Sequence, residues 1–296
     1  MLYKNDRRFL AVAHIVMIVL MIFILFPFAL LISASFTDET AALQQGFSLI
    51  PPVFSTAAYQ YVLREWRQIG GAYLMSLIVT LIGTVVSLCI SSMLAYGLSR
   101  KIRGQGVFAF LVVFTMLFNG GLVPTYYVYA NLLDIKNTIW ALIVPGLLMN
   151  AFTIMLIRNY YLVNIPEALL ESARIDGAGE MRTFMRIVLP LSTPILATMG
   201  LMTAIAYWND WQNGLYYVDN SKLYTLQLLL NKINDNASYL AANSTQMGAI
   251  TVGQTALPTT TMRMAVAVIG IVPILSVYPF FQKYFVKGIT LGAVKG

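Results

Sequence analysis

Six apolar runs, at about residues 9–32, 73–98, 107–129, 139–157, 191–208 and 264–284, constrain this chain more than any other feature. Each is long enough to cross a hydrocarbon core of about 30 Å. Hydrocarbon offers no partner to a free N–H or C=O, so each run is expected to be a helix. Prolines inside them, Pro27, Pro124, Pro145, Pro194, Pro273 and Pro279, are tolerated where neighbouring helices or cavities satisfy the freed carbonyls. Composition agrees: 58% of the 296 residues are hydrophobic and 10% charged, against about 25% charged in a soluble domain. The expected architecture is an all-α, polytopic membrane bundle of six transmembrane helices, one domain over residues 1–296.

The basic start, Lys4, Arg7 and Arg8, ahead of an apolar stretch is signal-peptide-like, but the stretch continues to about Ile32 without a small-x-small cleavage site. It is therefore expected to persist as the first helix. With the N-terminus inside, most of the Lys and Arg fall on the inner side, among them Arg100, Lys101, Arg103, Arg158, Arg174, Arg182 and Arg186. That bias supports cytoplasmic N- and C-termini. Two outer loops, 33–72 and 209–263, are long, and the stretch 231–245 reads as polar and solvated. The inner loop 158–190 is the one extended cytoplasmic segment.

Several functions are disfavoured. The formal charge of +7 is spread between apolar runs rather than gathered into a basic block, so nucleic acid is not an expected partner. Cys89 is the sole cysteine, read as a small buried hydrophobe. His14, the sole histidine, has no companion ligands and is read as a hydrogen-bonded or lumen-facing membrane histidine. No Gly-x-x-x-x-Gly-Lys-Ser/Thr loop is present, so ATP is not held by that mechanism. The spans carry almost no acids or bases of the kind an ion-coupled carrier uses. No carboxylate pair, Ser/His arrangement or metal cluster suggests a membrane enzyme.

Within the inner loop, Asn164 offers a helix start, Pro166 lies near the first helical position and Gly177 is a natural stop. The intervening three turns put Ala168, Leu169, Ser172, Ala173 and Ile175 on one face. A second short helix, 180–188, precedes Pro190. The pair is too short to span, and it is either a knob offered to a partner or an interfacial hairpin lying on lipid.

The spacing here resembles the loop motif of ABC importer permeases: Glu-Ala-Ala, three residues, Gly, nine residues, Ile-x-Leu-Pro. This chain has Glu171-Ser172-Ala173, then Gly177, then Ile187-Val188-Leu189-Pro190, with Ser172 the one departure. Further stretches resemble the carbohydrate-uptake, maltose-type branch, and within it the alginate and other acidic-oligosaccharide importers. They are Asn119-Gly-Gly-Leu-Val-Pro-Thr-Tyr126, Asn137-Thr-Ile-Trp140, Tyr207-Trp-Asn-Asp-Trp211 and the tail from Phe285 to Gly296.

The resemblance implies a type I importer fold in a bacterial cytoplasmic membrane. It also implies a second permease subunit, a dimer of cytoplasmic ATPases that bind ATP and Mg, an extracytoplasmic binding protein and an oligosaccharide. This chain would hold no cofactor and perform no hydrolysis itself. The Glu171–Gly177 helix would dock on the ATPase, with small Ser172 and Ala173 allowing close approach and Glu171 and Asp176 accepting charge-assisted bonds. Ile187, Leu189 and Pro190 would complete the coupling loop.

Residues suited to the pathway are fewer. Trp208, Asn209, Asp210, Trp211, Gln212 and Asn213 combine flat apolar faces with amides, which suits sugars, and equally an aromatic belt at the outer interface. Asn119 and Asn150 are polar groups within spans three and four, expected to face a bundle interior. Arg263 is a candidate clamp for a substrate carboxylate or an anchor for a lipid headgroup.

Overall fold

The computed structural model describes the backbone of residues 4–243 and 259–293 and the side chains of 9–235 and 260–280. Among these residues the chain is helical, with no strand beyond an isolated bridge between Thr37 and Phe54. In order, α1 (Lys4–Ser35), α2 (Glu39–Gln45), α3 (Ala57–Arg64) and α4 (Trp66–Ser99) lead to α5 (Gln105–Leu117) and α6 (Leu122–Leu132). Then follow α7 (Trp140–Ile143), α8 (Ala151–Asn164), α9 (Glu167–Ile175) and α10 (Glu180–Leu191), the last containing a π turn over Phe184–Val188. The chain continues with α11 (Thr193–Asn209), α12 (Gln212–Tyr217), α13 (Leu226–Asn243) and α14 (Thr259–Ala293).

Six uninterrupted spans are not what these runs form. Among the described residues three helices are long and apolar enough to cross a membrane, α1, α4 and α14, or five if the bent pairs α5/α6 and α10/α11 each count as one span. The causes are local. α5 and α6 meet at 113° across a break where Gly121 has φ +86° and the Asn119 side chain accepts its N–H at 2.9 Å. α10 and α11 meet at 80° at Ser192, whose hydroxyl donates to the Val188 carbonyl at 2.6 Å. The fourth run breaks between Ile143 and Ala151, where Pro145 removes an N–H and Gly146 turns with φ +71°. The outer loops are likewise not bare: 33–72 carries α2 and α3, and Asn231–Asn243, expected as solvated loop, continues α13. Ser244 and Thr245 lie outside the described residues, as do the side chains of Lys4, Arg7, Arg8 and the tail beyond Phe280.

Packing divides the chain into two units. The first comprises Met1–Ile69 and Leu230–Val272. From Phe9 to Phe28, α1 buries no side chain, and a helix that is apolar all round suits hydrocarbon. His14 satisfies its ring Nδ1 on its own turn, 2.6 Å from the Leu10 carbonyl. Past the membrane run, Phe36 stacks on Phe54 at 5.5 Å and meets Tyr59 at 4.8 Å.

The buried Glu39 of α2 caps the start of α14. Its carboxylate accepts the N–H groups of Thr260 and Thr261 at 3.0 and 2.9 Å and the Thr261 hydroxyl at 2.7 Å. A negative charge on orphan N–H groups at a helix start is favourable twice over, by hydrogen bond and by dipole. Glu39→Ala leaves these donors buried, so the expected loss is about 1–3 kcal/mol of stability. Chemical denaturation of the detergent-solubilised protein checks this; an unchanged midpoint would refute it.

The second unit comprises Gly70–Leu229 and Pro273–Gly296. Its framework is the face of α4 carrying Ser76, Val79, Gly83, Ser87, Ser91 and Ala95, all buried and spaced three or four apart. Small and hydroxylic residues let helix backbones approach closely in a membrane protein. The hydroxyls also serve neighbouring groups: Ser76 Oγ accepts the Leu226 N–H at 2.8 Å and Ser92 bonds Tyr161 at 2.7 Å. Opposite Gly83 lies the Tyr207 ring, whose hydroxyl donates to the Ile143 carbonyl at 2.9 Å. Asn213 Nδ2 donates to the Pro145 carbonyl, also at 2.9 Å. These two side chains satisfy carbonyls freed by the break in the fourth run. Cys89, expected to be buried, is exposed on α4.

Candidate functional site

The inner loop folds as a helix–turn–helix. Asn164, expected to start the first helix, is the last residue of α8, and Pro166 stands at the N-cap of α9 with φ −61°. At the far end Asp176 is the C-cap and Gly177 follows with φ +75°. The Ala178 N–H reaches the Ala173 carbonyl at 2.9 Å and the Gly177 N–H the Arg174 carbonyl at 3.0 Å. This pair of bonds is a Schellman closure, which needs a left-handed residue at the position of Gly177. The chain then enters α10, which does not end before Pro190 as expected but runs through it to Leu191. The π turn over Phe184–Val188 precedes the proline.

One side of α9 locks the loop to the rest of the unit. Leu170 packs with Tyr96, Leu98, Ile157, Tyr161, Phe184 and Val188 in one buried cluster, against which Ile187 and Leu189 also rest. Ala173 is buried as well, so it faces inward rather than toward a partner. Ala168, Leu169, Glu171, Ser172, Ile175 and Asp176 stay exposed, Ile175 at 86%. Pro190 is exposed too. The docking surface that the sequence suggests thus splits into an inner anchor, Ala173 with Leu170, and an outer face.

Charges frame the helix. Lys101 donates to Glu167 at 2.9 Å, an exposed pair in which the lysine holds the carboxyl below its ordinary value and is itself raised. Arg174 binds Glu180 through Nη2 at 2.9 Å and Nε at 3.2 Å. The second oxygen of Glu180 accepts the Tyr96 hydroxyl at 2.5 Å. Arg158 Nε and Gln105 Nε2 donate to the Leu98 carbonyl at 2.9 and 2.7 Å, closing the inner end of α4. Glu180, Tyr96 and Arg158 were not singled out by sequence; the signal was an acid opening the helix after Gly179.

The pathway residues are scattered in role. Asn119 forms the turn at the α5/α6 break, and Asn150 caps α8 by accepting the Thr153 N–H at 3.0 Å, so neither lies inside a continuous span. Trp208 is buried, edge-on to Tyr73 at 5.6 Å. Asp210 caps α12, accepting from Gln212 and Asn213 N–H at 3.1 and 3.3 Å, and burial lifts its carboxyl above the ordinary value. Asn209 and Gln212 remain exposed and Trp211 half-buried. Arg263 donates to Asn234 Oδ1 at 2.7 Å and Thr260 Oγ1 at 3.4 Å, which fastens α13 to the start of α14.

The family model described as "Binding-protein-dependent transport system inner membrane component" matches residues 91–291, a stretch that includes the whole helix–turn–helix. The chain belongs to this family. It is a membrane component of a transport system, and relatives carry sugar transport in their names. The permease is 42% identical over 271 residues, 91% of this chain and 92% of the relative, to the polygalacturonan/rhamnogalacturonan transport system permease protein YtcP of Bacillus subtilis. It is 30% identical over 284 residues, 92% and 91% of the two chains, to the arabinooligosaccharides transport system permease protein AraQ of Halalkalibacterium halodurans. Among solved structures it resembles a chain of a bacterial ABC transporter involved in the import of the acidic polysaccharide alginate. There the TM-score is 0.78 and the identity 30%, covering 96% of this permease and 99% of that chain.

Proposed function

We propose that this permease forms half of the pathway of a binding-protein-dependent ABC importer for oligosaccharides and couples to a cytoplasmic ATPase through α9 and α10. The supporting observation is the construction of the loop. A capped helix is pinned by Leu170 and Ala173 on one side, while Glu171, Ser172, Ile175 and Asp176 stay exposed on the other. In this reading the second pathway half is a homologous permease, the ATPase dimer holds ATP and Mg, and a binding protein delivers substrate from outside. The membrane is the bacterial cytoplasmic membrane, with both termini inside. ATPase closure draws the α9 helices together and turns the cavity outward; hydrolysis returns it inward.

The test is uptake in proteoliposomes with and without the cognate ATPase and binding protein: uptake without ATPase would refute the proposal. Glu171→Lys puts a cation where the partner would donate, so the ATPase should bind more weakly by about 1.5–3 kcal/mol. That is about ten-fold or more in affinity, read by co-purification or a titrated pull-down. Undiminished recovery would remove Glu171 from the interface. The substrate class in this reading is an acidic oligosaccharide, as with the alginate importer's own cargo. Preference for neutral over acidic chains of equal length would overturn that part alone.

A further inference from the structure

The polar network behind α9 has a feature that docking does not require. The two oxygens of Glu180 are divided between two elements: Oε1 takes both donors from Arg174 on α9, and Oε2 takes the Tyr96 hydroxyl on α4. Tyr96 is backed in turn by Arg100, whose guanidinium lies 4.9 Å over its ring and whose Nη2 is 3.4 Å from its oxygen. Glu180 is itself the first residue of α10, the inner arm of the bent pair that leads into α11. One carboxylate therefore joins the docking helix, the inner end of a 34-residue membrane helix and the start of a bent span.

What surrounds this junction gives it weight. A cavity of about 600 Å³ lies between these elements, bordered by Tyr96, Arg100, Glu167, Leu170, Arg174 and Glu180. Close-packed side chains transmit displacement because they cannot be compressed. The Leu170 cluster does this on the buried side of α9, whereas across the cavity itself a directional bond must. The other bond across the gap, Lys101 to Glu167, joins side chains that are 86% and 62% exposed, and exposed ion pairs hold geometry weakly. The Arg174–Glu180 pair is itself 54% and 56% exposed, but two guanidinium donors fix its geometry and the second carboxylate oxygen is tied to the buried Tyr96 phenol.

We infer that Glu180 is a positioning residue of coupling: it carries the displacement of α9 to the inner end of α4 through Tyr96 and to the bent span through α10. The inference rests on the reading of α9 as the ATPase-docking helix. A purely local role is the plain alternative, since an acid in a first turn stabilises its own helix. That role has no use for Tyr96, and the difference is measurable.

The experiment compares Tyr96→Phe, Glu180→Ala and Glu180→Gln in the assembled transporter, with its ATPase and binding protein, in proteoliposomes, reading substrate taken up per ATP hydrolysed. Tyr96→Phe keeps the ring and leaves Glu180 at the helix start, yet the ratio is expected to fall by about five-fold or more, the lower end of typical coupling between sites. Glu180→Ala should fall at least as far. Glu180→Gln should largely retain the ratio, because its carbonyl accepts from Arg174 and its amide donates to the Tyr96 oxygen. A wild-type ratio in Tyr96→Phe overturns the inference even if Glu180→Ala fails to assemble. If wild-type uptake needs no ATPase, the docking reading has failed instead; if it needs ATPase and Tyr96→Phe stays fully coupled, only this inference has.

Discussion

Gly177→Val should leave the permease inserted and the ATPase able to hydrolyse ATP, while uptake per ATP collapses. The reason is conformational rather than steric: a Cβ at Gly177 meets nothing within 4 Å, but the residue holds φ +75°. A β-branched residue held there costs about 1–3 kcal/mol. The chain can escape that strain by abandoning the left-handed turn. Doing so breaks the bonds from Ala178 to Ala173 and from Gly177 to Arg174, and with them the angle between α9 and α10. A shift of that size moves the population away from the coupled geometry by about five-fold to more than a hundred-fold. Gly177→Asn is the control, because asparagine tolerates the left-handed region and should stay close to wild type. Normal substrate-stimulated hydrolysis and uptake in Gly177→Val would show that the turn does not set coupling.

The coupling loop was legible because its signals are local. A proline before the first turn, a glycine at the stop and small residues at fixed spacing are read within about fifteen positions, and α9 with Gly177 follows them closely. The spans were legible as apolar mass but not as geometry. Hydropathy reports which residues avoid water, and it is blind to where Gly121, Pro145 with Gly146, or Ser192 divides a run. Ala173 shows the same limit at one residue: the periodicity places it on the small face of α9, but only the packing of Leu170 beside it decides that this edge turns inward. The long-range bonds of Glu39, Glu180 and Tyr207 were invisible for a further reason. Their partners lie 221, 84 and 64 positions away, and no local pattern announces such a bond.

Gly83→Val tests one of these long-range arrangements and should strongly destabilise the permease. A Cβ at Gly83 would stand 2.6–2.8 Å from Cζ, Cε1 and Cε2 of Tyr207, distances real contacts do not reach. Tyr207 is buried and has no rotatable tip to swing aside, so the ring as a whole must shift. Overpacking of this kind costs about 1–3 kcal/mol. Moving the ring also breaks its bond to the Ile143 carbonyl, whose ordinary helical partner, the Leu147 N–H, bonds to the Pro145 carbonyl instead. A buried acceptor left unsatisfied adds about 1–3 kcal/mol. The sum, about 2–6 kcal/mol, is a large fraction of the stability of most folded proteins. It should appear as loss of folded material on detergent extraction and a depressed denaturation midpoint. Because both penalties run through one ring, a double-mutant cycle separates this account from a general intolerance of α4 to bulk. Tyr207→Phe gives up the hydrogen bond beforehand, so Gly83→Ala should cost less in that background than in the wild type. The coupling should be about 0.5–3 kcal/mol, the range for residues in contact. Strict additivity would mean that Gly83 is needed for something other than the room it gives Tyr207.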